Sequence, residues 1–490
     1  MQRYTNNIKT TKFSQIFCLL LQAMKSHAVI HAPLLWPAVC LMVGIGVMGC
    51  WAVSWPMWPW LAACVIVSFL LFRWPVAQTF MLGVDFLLVG MVLVQHQPKS
   101  VDPEQRVEAV VFSMPVEKPK TMAVDLLLPE NGQRVRRYLW KDECSRALRL
   151  GDAVVLQRLH EGFVPGRDWA KGGQAATKMS RLDRVRLRFL QMRQRLLGRY
   201  RQSAMEEDAY GVIAAMALGD KSALTSEVRE TYSVTGASHV LALSGLHLGI
   251  IYMLLSRLTF GRRRFWLGQS MMVVCIWAFA FLTGLSPSIV RSATMISVYA
   301  VFSVGGRGRA SLNLLAFAAM VILLFDPSAL FDVGFQLSFM AVLSILLFMP
   351  LVERLWHADF WLHRWLRGIV GVSVAAQLGV APLIAYYFGH FSPYFLLTNF
   401  IVIPAVTIIL YGALLVLFVP QLGNLLALLV QILNKALGWI AQLPCSCIDG
   451  LHPSVFKVCL LYALLMAMYL VTLRLSSARC RSGSPLPSAR

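Results

Sequence analysis

The chain is 490 residues long, 57% hydrophobic and only 14% charged, with a mean hydropathy of +0.63. That composition excludes a string of soluble domains and predicts a mainly α-helical, polytopic membrane protein. The formal net charge of +21 does not by itself indicate a nucleic-acid partner, because much of it falls in loops where membrane topology alone places Lys and Arg.

A helical crossing needs roughly 20 mostly apolar residues, because every backbone N–H and C=O must be satisfied within the segment. The stretches that qualify are 34–53, 57–72, 76–94, 239–258, 266–284, 287–304, 311–325, 334–350, 368–388, 394–419, 424–443 and 455–474, or about 11–12 spans. Of these, 57–72 and 311–325 are short enough to be re-entrant. The first three define an N-terminal membrane domain over 1–99. Lys9, Lys12 and Lys25 place the N-terminus in the cytoplasm. Strict alternation then puts Arg73, Arg262 to Arg264, Arg307, Arg309, Arg354, Arg364 and Arg367 on the same side, together with a basic tail, 477–490. No window between 94 and 239 can span, so that interval is expected as a soluble insertion on the outer side. It holds one cysteine, Cys144, and cannot close an internal disulfide. Cys445 and Cys447 form a C-x-C pair, a poor disulfide geometry.

Within the insertion, 100–175 reads as strands: RVEAVVFS from Arg106, TMAVDLLL from Thr121, QRVRRYLW from Gln133 and DAVVLQRL from Asp152. Asn131-Gly132 between the second and third is a hairpin signal, since a type I′ turn needs positive φ at both central residues. A small β-barrel, OB-like, or a sandwich is expected. Alternation on the third strand places Arg134, Arg136, Tyr138 and Trp140 on one face. Cationic and aromatic groups together suit a single-stranded nucleic acid; an ordinary solvated hairpin is the other reading. From 176 to 204 an amphipathic helix carries an apolar stripe of Leu182, Val185, Phe189, Met192, Leu196 and Tyr200. Beside it lie Arg181, Arg184, Arg188, Arg195 and Arg199, so the helix should lie in the membrane interface. These arginines either snorkel to lipid phosphate or form a rim that gathers a polyanion. A further helix closes at Gly219, and another opens at Thr225 and stops at Gly236. The remainder, 205–476, is spans and short loops.

Strongly polar residues inside a span cost several kcal/mol unless they face a cavity or partner. The candidates are Asp85, His247, Arg291, Asp332, Gln336, Gln377 and Asn399, several of them in runs that Gly and Pro interrupt. Read in order, ALGDKSALT, SHVLALSGLHLG, LTGLSPSIVRSATM, DPSALFDVGFQLSF, AAQLGVAPL and LLTNFIVIP closely resemble the competence domain of the ComEC family over roughly 205–420. The resemblance implies a channel that passes single-stranded transforming DNA through the bacterial inner membrane, with an OB-like β-domain between two groups of spans. Many full-length members end in a metallo-β-lactamase-like domain with an H-x-H-x-D-H motif. None of the ten His residues here has that spacing, so this sequence is expected to be a short form without that candidate nuclease.

Competing chemistries fare worse. GDKS looks like a phosphate loop, but Asp220 stands where a P-loop needs Gly before the Lys, so an external motor or gradient is expected. Ser244 and His247 suggest an intramembrane hydrolase, yet no orienting acid or oxyanion hole accompanies them. His239 and His247 are out of register for a shared metal, and no third ligand is evident; neither metal nor cofactor is expected. A simpler account has Ser244 and His247 as donors in a polar lining or helix contact. The expected conduit is lined by Asp220, Lys221, His239, Ser244, His247, Arg291, Asp332, Gln336, Gln377 and Asn399. Arg291 contacts phosphate or pairs with an acid such as Asp332. Expected partners are single-stranded DNA and membrane lipids, with a separate nuclease, an outer-side DNA receptor, a cytoplasmic motor and a second copy of the chain left open. The alternative function is a transporter of a small anionic or lipid-linked solute.

Overall fold

A computed structural model describes residues 33–51, 55–96, 106–118, 120–129, 132–157, 163–164, 168–174, 177–203, 205–258, 265–304, 311–356 and 360–482. The basic residues Lys9, Lys12, Lys25, Arg262 to Arg264, Arg307 and Arg309 lie outside these. Among the described residues six helices are long and apolar enough to cross a membrane and five shorter ones are apolar, so the protein is a multi-pass, mainly α-helical membrane protein.

The N-terminal group is α1 (Leu35–Cys50), α2 (Trp58–Leu70) and α3 (Pro75–Gln95). Glycine sets the approach of α1 to α3: a Cβ on Gly44 would lie 2.0 Å from the Leu87 carbonyl oxygen, and one on Gly90 2.5 Å from that of Leu41. Asp85 is buried there, and its Oδ1 has no hydrogen-bond partner among the described residues.

The β-region contains β1 (Val107–Val111), β2 (Val116–Glu117), β3 (Thr121–Leu127), β4 (Arg134–Trp140), a one-turn helix α4 (Glu143–Arg146), β5 (Ala153–Leu156), β6 (Phe163–Val164) and β7 (Trp169–Lys171). The expected hairpin is present as antiparallel β3–β4, with Leu127 opposite Arg134 and Gly132 at φ +67°. Its connection is longer than a two-residue turn, since Leu128 N–H donates to Gln133 O; Asn131 lies outside the described residues. The barrel expectation needs correcting. The order β6-β4-β3-β1-β5-β7 is an open path, with β2 on β3. Edge strands of two and three residues make too few ladder bonds to close it. One face of the sheet buries Ala109, Val111, Val124, Leu126 and Leu139; the other puts Val110, Phe112 and Leu127 against Met179 and Leu190.

Leu190 belongs to α5 (Arg181–Gln202), capped by Ser180, whose Oγ accepts from Asp183 N–H. This helix is a strut. Leu190 meets the sheet, Phe189 stacks on Phe281 at 5.6 Å, and Tyr200 Oη donates to Ala413 O at 2.9 Å. Its protein-facing side is Arg186, Leu190, Leu197 and Tyr200, so the expected apolar stripe is only partly inward. Leu182, Val185 and Met192 are exposed beside the exposed arginines, an arrangement that suits a lipid interface.

The helix α6 (Glu207–Leu218) is apolar all round and buried from Ala209 to Leu218, as a core helix must be. Gly219 ends it at φ +74° with Gly219 N–H to Ala215 O and Asp220 N–H to Ala214 O, satisfying its last carbonyls. Next come α7 (Ser226–Val234), N-capped by Thr225, α8 (Ser238–Leu241), α9 (Gly245–Leu258), α10 (Phe265–Leu282), α11 (Pro287–Val304), α12 (Ser311–Phe325), α13 (Val333–Leu355), α14 (Trp361–Phe388), β8 (His390–Phe391), α15 (Phe395–Val416), α16 (Gly423–Ala441), β9 (Ile448–Asp449) and α17 (Val455–Ser482).

Eleven of the twelve expected spans coincide with apolar helices. The exception is 239–258, which breaks at Ala242–Ser244 into α8 and a 14-residue α9. The contacts also qualify strict alternation. The loops 219–221, 242–243, 283–288 and 332–334 meet at one end of the bundle, as alternation requires. The turn before α16 does not fit: Gly423 packs on Ser203, and Gln431 bonds to Glu206. Thus α15 and α16 form a hairpin packed on α6, and both are long and apolar enough to cross a membrane.

Candidate functional site

Four segments far apart in sequence converge on one cleft of about 280 Å³. Gly219 and Lys221 come from the loop after α6, and Ala242 and Leu243 from the break before α9. Thr283 and Ser286 come from the loop between α10 and α11, Ser288 and Arg291 from the start of α11, and Asp332 and Gly334 from the start of α13. Each is there for a local reason. Gly219 takes a left-handed conformation, and a Cβ on it would lie 2.6 Å from Leu243 Cδ1. The loop 283–286 turns sharply, with Gly284 at φ +86° and Leu285 at φ +54°. For a branched side chain at Leu285 that backbone is strained, as is common at functional sites.

The charged pair is Arg291 and Asp332, with Nη1 to Oδ1 at 3.0 Å. Arg291 is 7% exposed and its Nε has no partner among the described residues, whereas the Asp332 side chain is half exposed. Asp332 also caps α13 by accepting Phe335 N–H at 2.8 Å. Gly334 makes room for the pair: a Cβ there would sit 2.6 Å from Arg291 Nη2 and 3.0 Å from Asp332 Oδ1. At the start of α11, Ser286 O accepts Val290 N–H, which makes Ser286 the N-cap residue, yet its buried Oγ has no partner among the described residues.

The strut α5 lies against this cleft. Arg186 Nη2 donates to Gly284 O, and Arg193 approaches Asp220 at 3.8 Å. Burial pushes the Arg193 guanidinium below its ordinary range, with Asp220 opposing the shift. Neither arginine was singled out by the sequence pattern, because both lie on the inward face between the marked ones. Arg186 and Arg134 each sit 5.3 Å from the Phe112 ring, linking the sheet to the cleft loop through one aromatic.

The other marked residues divide by location. Arg181, Arg184, Arg188, Arg195 and Arg199 are all exposed. On β4, Arg134, Arg136 and Trp140 are exposed and Tyr138 half-buried, as alternation requires. Arg136 is engaged with Asp125 at 2.6 and 3.0 Å, which raises its pKa, and Lys118 lies 4.7 Å over Tyr138. Of the expected conduit residues the cleft brings together Lys221, Arg291 and Asp332, with Asp220 adjoining. His247 does not line it. It is fully buried, and its Nδ1 faces Ser244 N and Oγ at 3.3 and 3.2 Å, closing the break before α9. Its Nε2 has no partner among the described residues. His239 is exposed, with Nδ1 3.0 Å from Gly236 O. Gln336 ties helices together, donating to Leu330 O and accepting from Tyr387 Oη at 2.7 Å. Gln377 and Asn399 are half-buried on α14 and α15, outside the cleft. No group of three or more His, Cys, Asp or Glu side chains placed to hold a metal exists among the described residues.

Comparison with known proteins covers just over half of the chain. The chain is 27% identical to ComE operon protein 3 of Bacillus subtilis over 299 residues, 58% of this chain and 37% of that protein. It is 28% identical to competence protein ComA of Neisseria gonorrhoeae over 168 residues, 31% of this chain and 24% of that one. A protein of Aquifex aeolicus is 31% identical over 193 residues, 39% and 44% of the two chains. The chain thus spans less than half the length of these relatives. No solved structure matches it significantly. The family model described as competence protein matches residues 216–475, from the buried helix α6 to α17 and across every segment of the cleft, and the chain belongs to that family.

Proposed function

We propose that the chain passes single-stranded DNA across the bacterial inner membrane during natural competence. The 106–174 sheet and the basic α5 face the outer side, the cleft marks the entrance, and the termini are cytoplasmic. The observation that carries this reading is the meeting of four competence-family segments in one cation-bearing cleft, directly beneath a helix with five exposed arginines in a row. Exposed arginines concentrate a polyanion locally, and a cleft whose deepest cation is already held by a carboxylate can pass an anion without trapping it. A separate nuclease, an outer-side receptor and a cytoplasmic motor belong to the same proposal.

The test is internalisation of labelled DNA in the natural host, with the gene deleted and restored as wild type, Arg291→Ala or Lys221→Ala at equal protein levels. Uptake should fall in both variants; wild-type uptake in both would remove the cleft from the path. A transporter of a small anionic solute is the second reading, because a cleft of about 280 Å³ with two cations lies close to the lower end of the roughly 300–1,000 Å³ of small-molecule cavities. Hydrolysis lacks an acid beside His247, whose second ring nitrogen has no partner among the described residues.

A further inference from the structure

We infer that the cleft is a station for one phosphodiester, in which Lys221, Arg291 and the first turn of α11 take the anion in exchange for Asp332's hold on Arg291. The inference takes its source of phosphodiester from the proposed DNA passage, but the site itself stands on geometry. The cleft carries two cations, Lys221 and Arg291, against one carboxylate. The neighbouring acid, Asp220, is already engaged by Arg193 and by Ser222 N–H. At the mouth, α11 begins with Pro287, which has no N–H, so the next amides, of Ser288 and Ile289, are the ones its N-cap should satisfy. The N-cap Ser286 Oγ is buried without a partner among the described residues, so it does not cap those amides, and Ser286, Pro287 and Ser288 bring the positive end of the helix dipole to the cleft lining. Arg291, one turn further along, is 7% exposed with an unpartnered Nε. A buried cation with an unused donor, beside a helix start whose cap is unused, is the donor set that phosphate oxygens satisfy.

Asp332 gives the station its exchange behaviour. It binds Arg291 through one oxygen and is half exposed, so an arriving anion competes for a guanidinium that is already partly satisfied. Binding is therefore weak and reversible. When the phosphodiester leaves, Asp332 takes the guanidinium back, and no desolvated cation remains unpaired.

The experiment uses the full chain in nanodiscs of zwitterionic lipid and a fluorescent single-stranded oligonucleotide, with inorganic phosphate as competitor. Lys221→Ala should weaken binding about tenfold and make the salt slope shallower by about 0.7, the value for one phosphate contact on a single strand. Asp332→Asn should tighten binding about tenfold while slowing uptake in cells, a split that simple loss of structure cannot produce. An oligonucleotide with a neutral methylphosphonate backbone should bind the wild type and Lys221→Ala equally. Unchanged affinity and salt slope in Lys221→Ala, or weaker binding by a folded Asp332→Asn, would overturn the station. Displacement of the oligonucleotide by phosphatidylglycerol but not by inorganic phosphate would assign the phosphodiester to a lipid headgroup and overturn DNA as its source. If both variants bind as expected but take up DNA at the wild-type rate, the passage reading fails while the station stands. Lost uptake with unaltered binding has the opposite meaning.

Discussion

Gly334→Ala probes the site with one methyl group. The added Cβ would lie 2.6 Å from Arg291 Nη2 and 3.0 Å from Asp332 Oδ1, about 1 Å inside a comfortable heavy-atom separation. The guanidinium is buried and the backbone of α13 is fixed by its cap, so the ion pair itself must open from 3.0 Å to about 4 Å. At an effective dielectric constant near 20 that costs roughly 1.4 kcal/mol of attraction, and the half-exposed carboxylate lowers the figure while the lost hydrogen bond raises it. Alanine's better helix propensity returns a few tenths. The net expectation is about 1–2 kcal/mol of destabilisation, with impaired DNA uptake. Thermal unfolding of the purified protein in detergent reads the first and internalisation of labelled DNA the second. Gly198→Ala on α5, where a Cβ meets nothing within 4 Å, is the control and should stabilise slightly, by up to about 1 kcal/mol. Gly334→Ala with wild-type melting and wild-type uptake would refute the packing argument for the ion pair.

Three further perturbations test the frame. Gly379→Ala drives a Cβ to 2.1 Å from Ser344 Oγ and 2.7 Å from the Met340 carbonyl oxygen. It should separate α13 from α14 and cost more than about 2 kcal/mol in detergent unfolding. Tyr200→Phe removes the hydrogen bond to Ala413 O, and should cost about 1 kcal/mol with faster hydrogen exchange along the second half of α5. For Asp152, burial opposes ionisation, but the Lys171 hydrogen bond and the Arg149 N–H outweigh it and hold the carboxyl below its ordinary range. A depressed folded pKa gives stability that is present above the unfolded value, about 3.9, and is lost as pH falls through the folded one. Asp152→Asn should therefore flatten the acid-induced rise in exchange across β5 and β7 below about pH 4, leaving neutral-pH uptake unaltered.

Hydropathy and local capping chemistry made much of the fold legible. Apolar runs located eleven helices, the glycines after Leu218 and Thr235 marked chain reversals, and alternation on β4 gave its outward face. What escaped was tertiary. A hydropathy window averages over the break at Ala242–Ser244, where the His247 ring accepts the Ser244 N–H inside the bundle. Arg186 and Arg193 share α5 with six exposed arginines, and only packing separates the two that hold the cleft loops from those that face out. Arg291 and Asp332 could be named as possible partners from their chemistry, but not the glycine that lets them meet. Gln336 carries the polarity expected of a conduit, yet its amide is used between α13 and α14. The closure of a sheet depends on edge pairing, and strand patterning alone carries no information about it.

Passage of incoming single-stranded DNA through the cleft at the start of α11 would bring the strand against Ser288. A photoreactive amino acid in place of Ser288, illuminated in cells while they internalise labelled DNA, should form a covalent adduct with the labelled strand during uptake, and the adduct should disappear in Lys221→Ala. A strand that crosslinks to exposed positions on α5 but never to 288, while uptake proceeds normally, would contradict passage through the cleft.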